Sequence, residues 1–444
     1  MKRLINQQLI DWKVHPRRKP LLIRGARQVG KTYSIKQFGA ENFKSVVSID
    51  LEKRPDWQRI FESELDVKRI IAELEVVTGQ RIVVGETLLF IDEIQSCPRA
   101  IMALRYFYED LPDLHVIAAG SLLEFALRDI SFPVGRIQSV ELGPLCFAEF
   151  LVAIGKEVAA GIVLQQPHAV AESTHAMLLD ELRRYFFIGG MPEAVKTFVA
   201  TGSMKEAFAV HAEICSTYRF DFSKYSPRCD SVCLNTVLTT VAQSVGQQIK
   251  YTRLAHDYSS PTVKNALDLL VMARIVRKIV AVDSPLLPLG AQARDKIFKA
   301  GLLDIGLMQY LCGMPVESEY VQPDLLAIYR GAMAEQFVGQ EMVVSQNQAL
   351  YFWARHQKSS AAEVDYLALT KGIVHPVEVK SGASGSLKSL HLCLQTYPAL
   401  GEAMVFSSRN FERLTEQKLV FVPLYFAFSA TGGNSNGIVE QLHK

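Results

Sequence analysis

Residues 18–39, RKPLLIRGARQVGKTYSIKQFG, change character in an order that leaves few folds open. PLLIRG is a short apolar run with strand character. The loop Gly25 to Gly30 follows, and KTYSIKQFG reads as a helix closed by Gly39. The pattern GxxxxGK[ST] falls on Gly25, Gly30, Lys31 and Thr32. Glycines let the backbone curl, so that the N–H groups of Gly25, Ala26, Arg27, Gln28, Val29 and Gly30 face phosphate oxygens. The N-terminus of the next helix, where Tyr33 lies, adds positive potential. Lys31 would reach the β- and γ-phosphates of ATP, and the Thr32 hydroxyl would hold Mg²⁺. Average residue usage produces such a match by chance in roughly one in fifty to a hundred chains of this length, so a second element has to support it.

That element is TLLFIDEIQ, residues 87–95, an apolar strand ending in two acids. Its unbroken apolar run suits a parallel strand buried on both faces. Asp92 at its C-terminal end would join the Mg²⁺ shell, and Glu93 would polarise the attacking water. A further strand, HVIAAGS, delivers Ser121 to the same sheet edge, where it could sense the γ-phosphate; a Gly-Ser pair after a strand is more often only a turn.

With 444 residues the chain exceeds one core, and two to four domains are expected. The net charge of +2 does not mark a nucleic-acid binder; only a local basic surface could. One basic run, Lys13, Arg17, Arg18, Lys19, Arg24, Arg27 and Lys31, contains no acid; a solvated face plus one phosphate-binding lysine explains it equally well. Seven scattered cysteines lack paired CxxC spacing and read as reduced, mostly buried thiols of a cytoplasmic protein. The start lacks the apolar centre of a signal peptide, and no run of about 18 apolar residues predicts a membrane span.

Residues 156–230 read as helices that would form a lid over the nucleotide. Residues 231–300 read as helix, short helix, turn, helix and extended segment, the order of a winged helix. Ser260 is the expected N-cap, with Pro261 at the first helical position. Val263, Ala266, Leu267, Leu270 and Val271 form one apolar face; Thr262, Lys264, Asn265 and Asp268 point outward. Such a helix could enter a DNA major groove with Arg274, Arg277 and Lys278 on phosphates, or could pack on protein; Asp268 disfavours DNA.

Residues 301–444 combine a helix containing Glu335 with strands LYFWARH, AEVDYLALT and VHPVEVKSG. A hairpin at Lys371 and Gly372 would bring Asp365 near Glu378, with Lys380 on the same face as Glu378. Two carboxylates on adjoining strands can hold Mg²⁺, and a neighbouring lysine can activate water. Alternatively, this is a half-exposed sheet whose polar face carries a surface salt bridge. The set Glu335, Asp365, Glu378 and Lys380 resembles the PD-(D/E)xK nuclease core, and LQTYP, with Gln395 and Tyr397, loosely resembles the glutamine motif of RecB-like members.

GARQVGKT, LLFIDEIQ, AAGSLLE, FPVGRIQSVELGPLCFAEFL and FFIGGMPEAV together resemble the prokaryotic AAA-type ATPases that carry a C-terminal DUF4143 domain. The resemblance implies a P-loop sheet of the ASCE type, with the catalytic glutamate beside the Walker B aspartate. It implies that Arg136 lies near the γ-phosphate, unless it is a surface arginine at a strand start. It implies that Pro192 of GGMP packs on the adenine, unless GGMP is an inter-helix turn.

The expected architecture is α/β. It comprises a P-loop ATPase domain (1–155), a helical lid (156–230), a winged helix (231–300) and a restriction-endonuclease-like domain (301–444). Its expected activity is ATP binding and hydrolysis, with action on DNA through the winged helix and the nuclease-like domain. The alternative is a nucleotide-dependent switch that binds a protein or DNA partner without nuclease chemistry. Oligomer formation stays open.

Overall fold

Apolar strands set the first layer. In the computed structural model, which describes residues 1–126, 135–225, 230–314, 330–346, 348–357, 360–380 and 386–432, the chain divides into two compact units, residues 2–143 and 144–444.

The first unit runs α1 (Ile5–Val14), β1 (Leu21–Arg24), α2 (Lys31–Asn42), β2 (Ser45–Asp50), α3 (Arg59–Glu62), α4 (Val67–Thr78), β3 (Thr87–Asp92), α5 (Pro98–Asp110), β4 (His115–Gly120), α6 (Leu123–Ala126) and β5 (Gln138–Glu141). The strands form one sheet in the order β2-β3-β4-β1-β5. Every pairing is parallel. β3 and β4 are buried at every position, which is why they read as unbroken apolar runs. Because β4 stands between β1 and β3, the ends of these three strands lie side by side on one edge. This sheet with its helices fits the P-loop ATPase fold expected above.

Gly39 does not close α2, which continues to Asn42. A Cβ at Gly39 would stand 2.7 Å from Val46 Cγ2, so the glycine lets the helix lie close on β2. The basic run is largely taken up inside this unit. Lys13 donates to the Asn42 carbonyl and Arg18 to that of Asp113, while Arg24 pairs with Glu124 and Arg27 with Glu52.

The second unit begins with α7 (Phe147–Ala153), α8 (Glu157–Val163), α9 (Glu172–Ile188), α10 (Pro192–Thr201) and α11 (Met204–Tyr225). Next come α12 (Ser231–Gln243), α13 (Tyr251–Leu254), α14 (Ser260–Met272), β6 (Val276–Val282), β7 (Ala293–Leu302) and α15 (Ile305–Leu311). The N-cap of α14 is Ser259, one residue before the expected Ser260. Its side chain accepts from the Thr262 N–H. Val263, Ala266, Leu267 and Leu270 are buried as expected, joined by Leu269, whereas Val271 is half-buried.

The unit ends with α16 (Arg330–Gln346), β8 (Tyr351–Gln357), β9 (Ser360–Val364), β10 (Tyr366–Thr370), β11 (Ile373–Val379), α17 (Lys388–Thr396), β12 (Ala403–Ser407), β13 (Glu412–Leu414), β14 (Leu419–Pro423) and α18 (Ala427–Ala430). Two sheets result, β7-β6-β8-β9 and β10-β11-β12-β14-β13. The boundary expected at 300/301 falls inside β7, and β6 pairs with β8 in parallel, so one sheet joins the two expected domains. AEVDYLALT is not one strand. It breaks at Asp365, leaving the first sheet after β9 and entering the second at β10. Lys371 (φ 50°) and Gly372 (φ 80°) form the two-residue turn of the β10–β11 hairpin, where both positions need the left-handed region.

Buried hydrogen bonds knit the helices together. The Asp304 carboxylate caps α15 and accepts from the Gly190 N–H. Gln340 donates to Tyr185 at 2.7 Å, and Glu341 accepts from the Phe147 N–H at 2.9 Å.

Candidate functional site

β1 ends at Arg24, whose carbonyl accepts from the Leu142 N–H, and Gly25 follows with its backbone close against Leu142. A Cβ on Gly25 would lie 2.2 Å from the Leu142 carbonyl oxygen, so only glycine fits. Gly30, at φ 93°, opens α2 in the left-handed region. Lys31 is buried and donates to the carbonyls of Gly25 (3.0 Å) and Ala26 (2.8 Å), folding its ammonium across the loop. Thr32 Oγ1 donates to Asp92 Oδ2 at 2.8 Å, across 60 residues of sequence. Tyr33 is exposed.

Asp92 ends β3 and is 5 % exposed. Burial pushes its carboxyl above the usual range, the Thr32 hydrogen bond opposes that, and nearby Glu93 pushes it up further. A carboxylate held back from ionising beside a threonine hydroxyl fits a divalent cation, whose charge would restore the ionised form. Thr32 and Asp92 are the residues that would hold Mg²⁺.

Glu93 follows in the left-handed region (φ 49°) and shares its Oε2 between Gln95 Nε2 (2.5 Å) and Ser121 Oγ (3.5 Å). Gln95 was not singled out in the sequence, although TLLFIDEIQ contains it. A Cβ at Gly120 would sit 2.3 Å from Gln95 Oε1, so the glycine before Ser121 makes room for the amide that holds Glu93.

Arg136 is not brought to this edge. It is half-exposed and pairs with Glu109 at 2.9 Å, near the end of α5. It precedes β5, whose first residue Gln138 is level with Leu21 at the start of β1. Arg136 therefore lies at the sheet edge opposite the phosphate loop, a surface arginine at a strand start. Phe132, Pro133 and Val134 of the same motif lie outside the described residues. Pro192 belongs to the second unit, where it opens α10 after the Gly189–Gly190 turn.

The second cluster lies in the C-terminal half. Glu335 of α16, Asp365 and Glu363 converge on a residue that the sequence did not flag, Lys299 of β7, whose side chain is 1 % exposed. Its ammonium is 2.9 Å from Glu335 Oε1, 2.5 Å from Glu363 Oε1 and 3.3 Å from Asp365 Oδ1. An ammonium has three protons, and three carboxylates take them. Two of the three other oxygens are engaged too. Glu363 Oε2 accepts from Gln248 (2.6 Å), and Asp365 Oδ2 from the Val379 N–H (2.9 Å). Glu335 Oε2 would stand 2.7 Å from a Cβ at Gly246.

Glu378 stands apart from Lys299's shell. Its Oε1 pairs with Lys380 Nζ at 2.5 Å, and its buried Oε2 has no hydrogen-bond partner among the described residues. Burial, then the Asp365 charge, pushes its carboxyl up to about 7. Glu335 is pushed up likewise by burial and by Asp365, although Lys299 opposes the shift. No group of three or more His, Cys, Asp or Glu among the described residues is arranged to hold a metal. Gln395 is exposed, and Tyr397 packs on Trp353 and donates to the Asp283 carbonyl, so neither joins the cluster.

Against family models, residues 17–151 match an AAA domain, residues 179–318 a domain of unknown function (DUF8612) and residues 330–426 a domain of unknown function (DUF4143). No curated protein matches the chain. Among solved structures, a Walker-type ATPase of Pyrococcus abyssi is similar at 17 % identity, covering 70 % of this chain and 95 % of that one, with a TM-score of 0.44. The Orc1 protein of Aeropyrum pernix, solved in complex with DNA, is 11 % identical, with coverages of 71 % and 92 % and a TM-score of 0.26. A RuvB variant of Thermotoga maritima is 15 % identical, with coverages of 61 % and 87 % and a TM-score of 0.29. Among the described residues, no helix is long and apolar enough to cross a membrane.

Proposed function

On the premise that residues 17–151 are an AAA-type ATPase domain, we propose that this protein is an ATP-hydrolysing switch, with Lys31, Thr32, Asp92 and Glu93 as its working residues. The observation that carries this reading is the 2.8 Å hydrogen bond from Thr32 to Asp92, with Glu93 next in the chain and oriented by Gln95. Lys31 leaves the Gly25 and Ala26 carbonyls for the β- and γ-phosphates, where a charge-assisted contact replaces two neutral acceptors. Thr32 and Asp92 would hold Mg²⁺, which would supply charge neutralisation of the phosphates. Glu93 takes a proton from the attacking water, and Ser121 donates toward the same region.

The second unit is the responding part, and we place DNA first as its partner. Support comes from the order α12, α13, α14, β6, β7, with Ile249 bridging Phe298, and from exposed Lys264 and Asn265 on α14. A protein partner is the other outcome. Nuclease chemistry at Glu335, Asp365, Glu378 and Lys380 is not part of this reading, because the donor set does not fit Mg²⁺.

The test measures ATP turnover and binding of a labelled DNA duplex by the full chain, in the presence of ADP or of a non-hydrolysable ATP analogue. ATP turnover is expected, together with an affinity difference of roughly 5- to 150-fold between the two nucleotide states. Turnover with equal or no DNA binding moves the partner to protein; absence of turnover defeats the switch. Supercoiled plasmid incubated with Mg²⁺ or Mn²⁺ is expected to stay intact. Cutting that is lost in Asp365→Ala would replace the switch with a nuclease.

A further inference from the structure

A nuclease-like core calls for a divalent cation between its acids, and the residues here disagree with that requirement. Mg²⁺ takes about six oxygens in near-octahedral geometry at roughly 2.0–2.1 Å. In this cluster Glu335 Oε1, both Glu363 oxygens and both Asp365 oxygens face a buried ammonium, an amide or a backbone N–H. Lys299 reaches it from β7, which lies outside the stretch that carries the acids.

We propose that Lys299 is the resident cation of this centre. Its ammonium occupies oxygens of Glu335, Glu363 and Asp365, and so joins β7 to α16, to β9 and to the crossover at Asp365 without a metal. A metal ion and the ammonium exclude each other there, because they would need the same carboxylate oxygens and would repel at that separation. The joint also explains the burial of Glu335 and the partial burial of Glu363 and Asp365: each has an oxygen on the ammonium. The proposal does not rest on the nucleotide reading, which ATP turnover tests separately.

The test is calorimetric titration of Mn²⁺ into the nucleotide-free full chain. Four chains are compared: the natural chain, Asp365→Asn, Lys299→Met and the double variant Lys299→Met/Asp365→Asn. Thr32 and Asp92 are present in every arm, so any weak binding there cancels. The natural chain and Asp365→Asn are expected to give the same isotherm. Lys299→Met, folded by circular dichroism, is expected to bind one additional Mn²⁺ at least about tenfold more tightly than the natural chain does, and Asp365→Asn to abolish that gain. A Mn²⁺ site in the natural chain that Asp365→Asn removes would overturn the proposal. So would a folded Lys299→Met that gains no Mn²⁺ site. If Lys299→Met does not fold, the comparison of the natural chain with Asp365→Asn decides alone.

Discussion

Lys31 and Lys299 are both buried, and their ammonium groups are held in different ways. Lys31 leans on two neutral carbonyls at the head of α2. Lys299 is clasped by three carboxylates. The first arrangement is weak enough for a phosphate to displace, because charge-assisted bonds to phosphate outmatch neutral ones. The second costs a buried ion pair to open, which is several kcal/mol. A lysine near acids is therefore not in itself a sign of chemistry. What its ammonium touches separates the two: backbone carbonyls for Lys31, three carboxylates for Lys299.

The comparison can be attacked from each side. Glu93→Gln should lower ATP turnover by about 10²- to 10⁴-fold while ATP still binds, measured by steady-state hydrolysis and equilibrium binding. A small loss would move the base elsewhere. Lys299→Met should destabilise the chain by about 3–5 kcal/mol, because it leaves buried acids without their cation. Urea unfolding reads this, and adding Glu335→Gln should restore part of the loss. ATP affinity should not change. Lys31→Ala should weaken ATP binding by roughly ten- to a hundredfold, the equivalent of a charged hydrogen bond or so, and should cost far less stability than Lys299→Met. Retained full affinity would sink the phosphate-loop assignment.

Glu341 supplies the finest comparison, as a buried acid with no lysine. Burial pushes its carboxyl up to about 8 from an ordinary 4.5. Its folded value lies above its unfolded one. The stability it contributes is therefore complete below about 4.5 and lost as pH rises through about 8. Glu341→Gln should change melting temperature little below about pH 4.5 and should flatten its decline between about pH 4.5 and pH 8. Parallel melting curves across pH for the two chains would refute this.

The nucleotide side was legible in the sequence because it is local. Eight consecutive residues fix the loop, and two apolar strands ending in acids or serine fix the partners, since parallel strands of one sheet finish on a common edge. Gly39 was misread because a glycine that ends a helix and a glycine that lets a helix touch a sheet look alike in one dimension. Arg136 was misplaced because a motif gives position along the chain but not which end of a strand it occupies. The strand containing Asp365 kept its two-residue alternation across the break, so nothing marked the change of sheet. Lys299 was invisible for a different reason. It lies 36 residues before Glu335 and 66 before Asp365, in a strand segment with no motif of its own. Its role comes entirely from tertiary pairing.

The passage of β7 across the expected boundary at 300/301 bears on heredity. A gene fragment starting at residue 301 would encode the acids without Lys299 and would leave β8 without its neighbour β6, presenting a bare strand edge to other chains. Such a piece could not be shuffled into another gene and keep its shape. Recombination that preserves this half must carry the β6–β7 hairpin with it, so the smallest heritable module begins well before the point at which a reader of sequence patterns would cut.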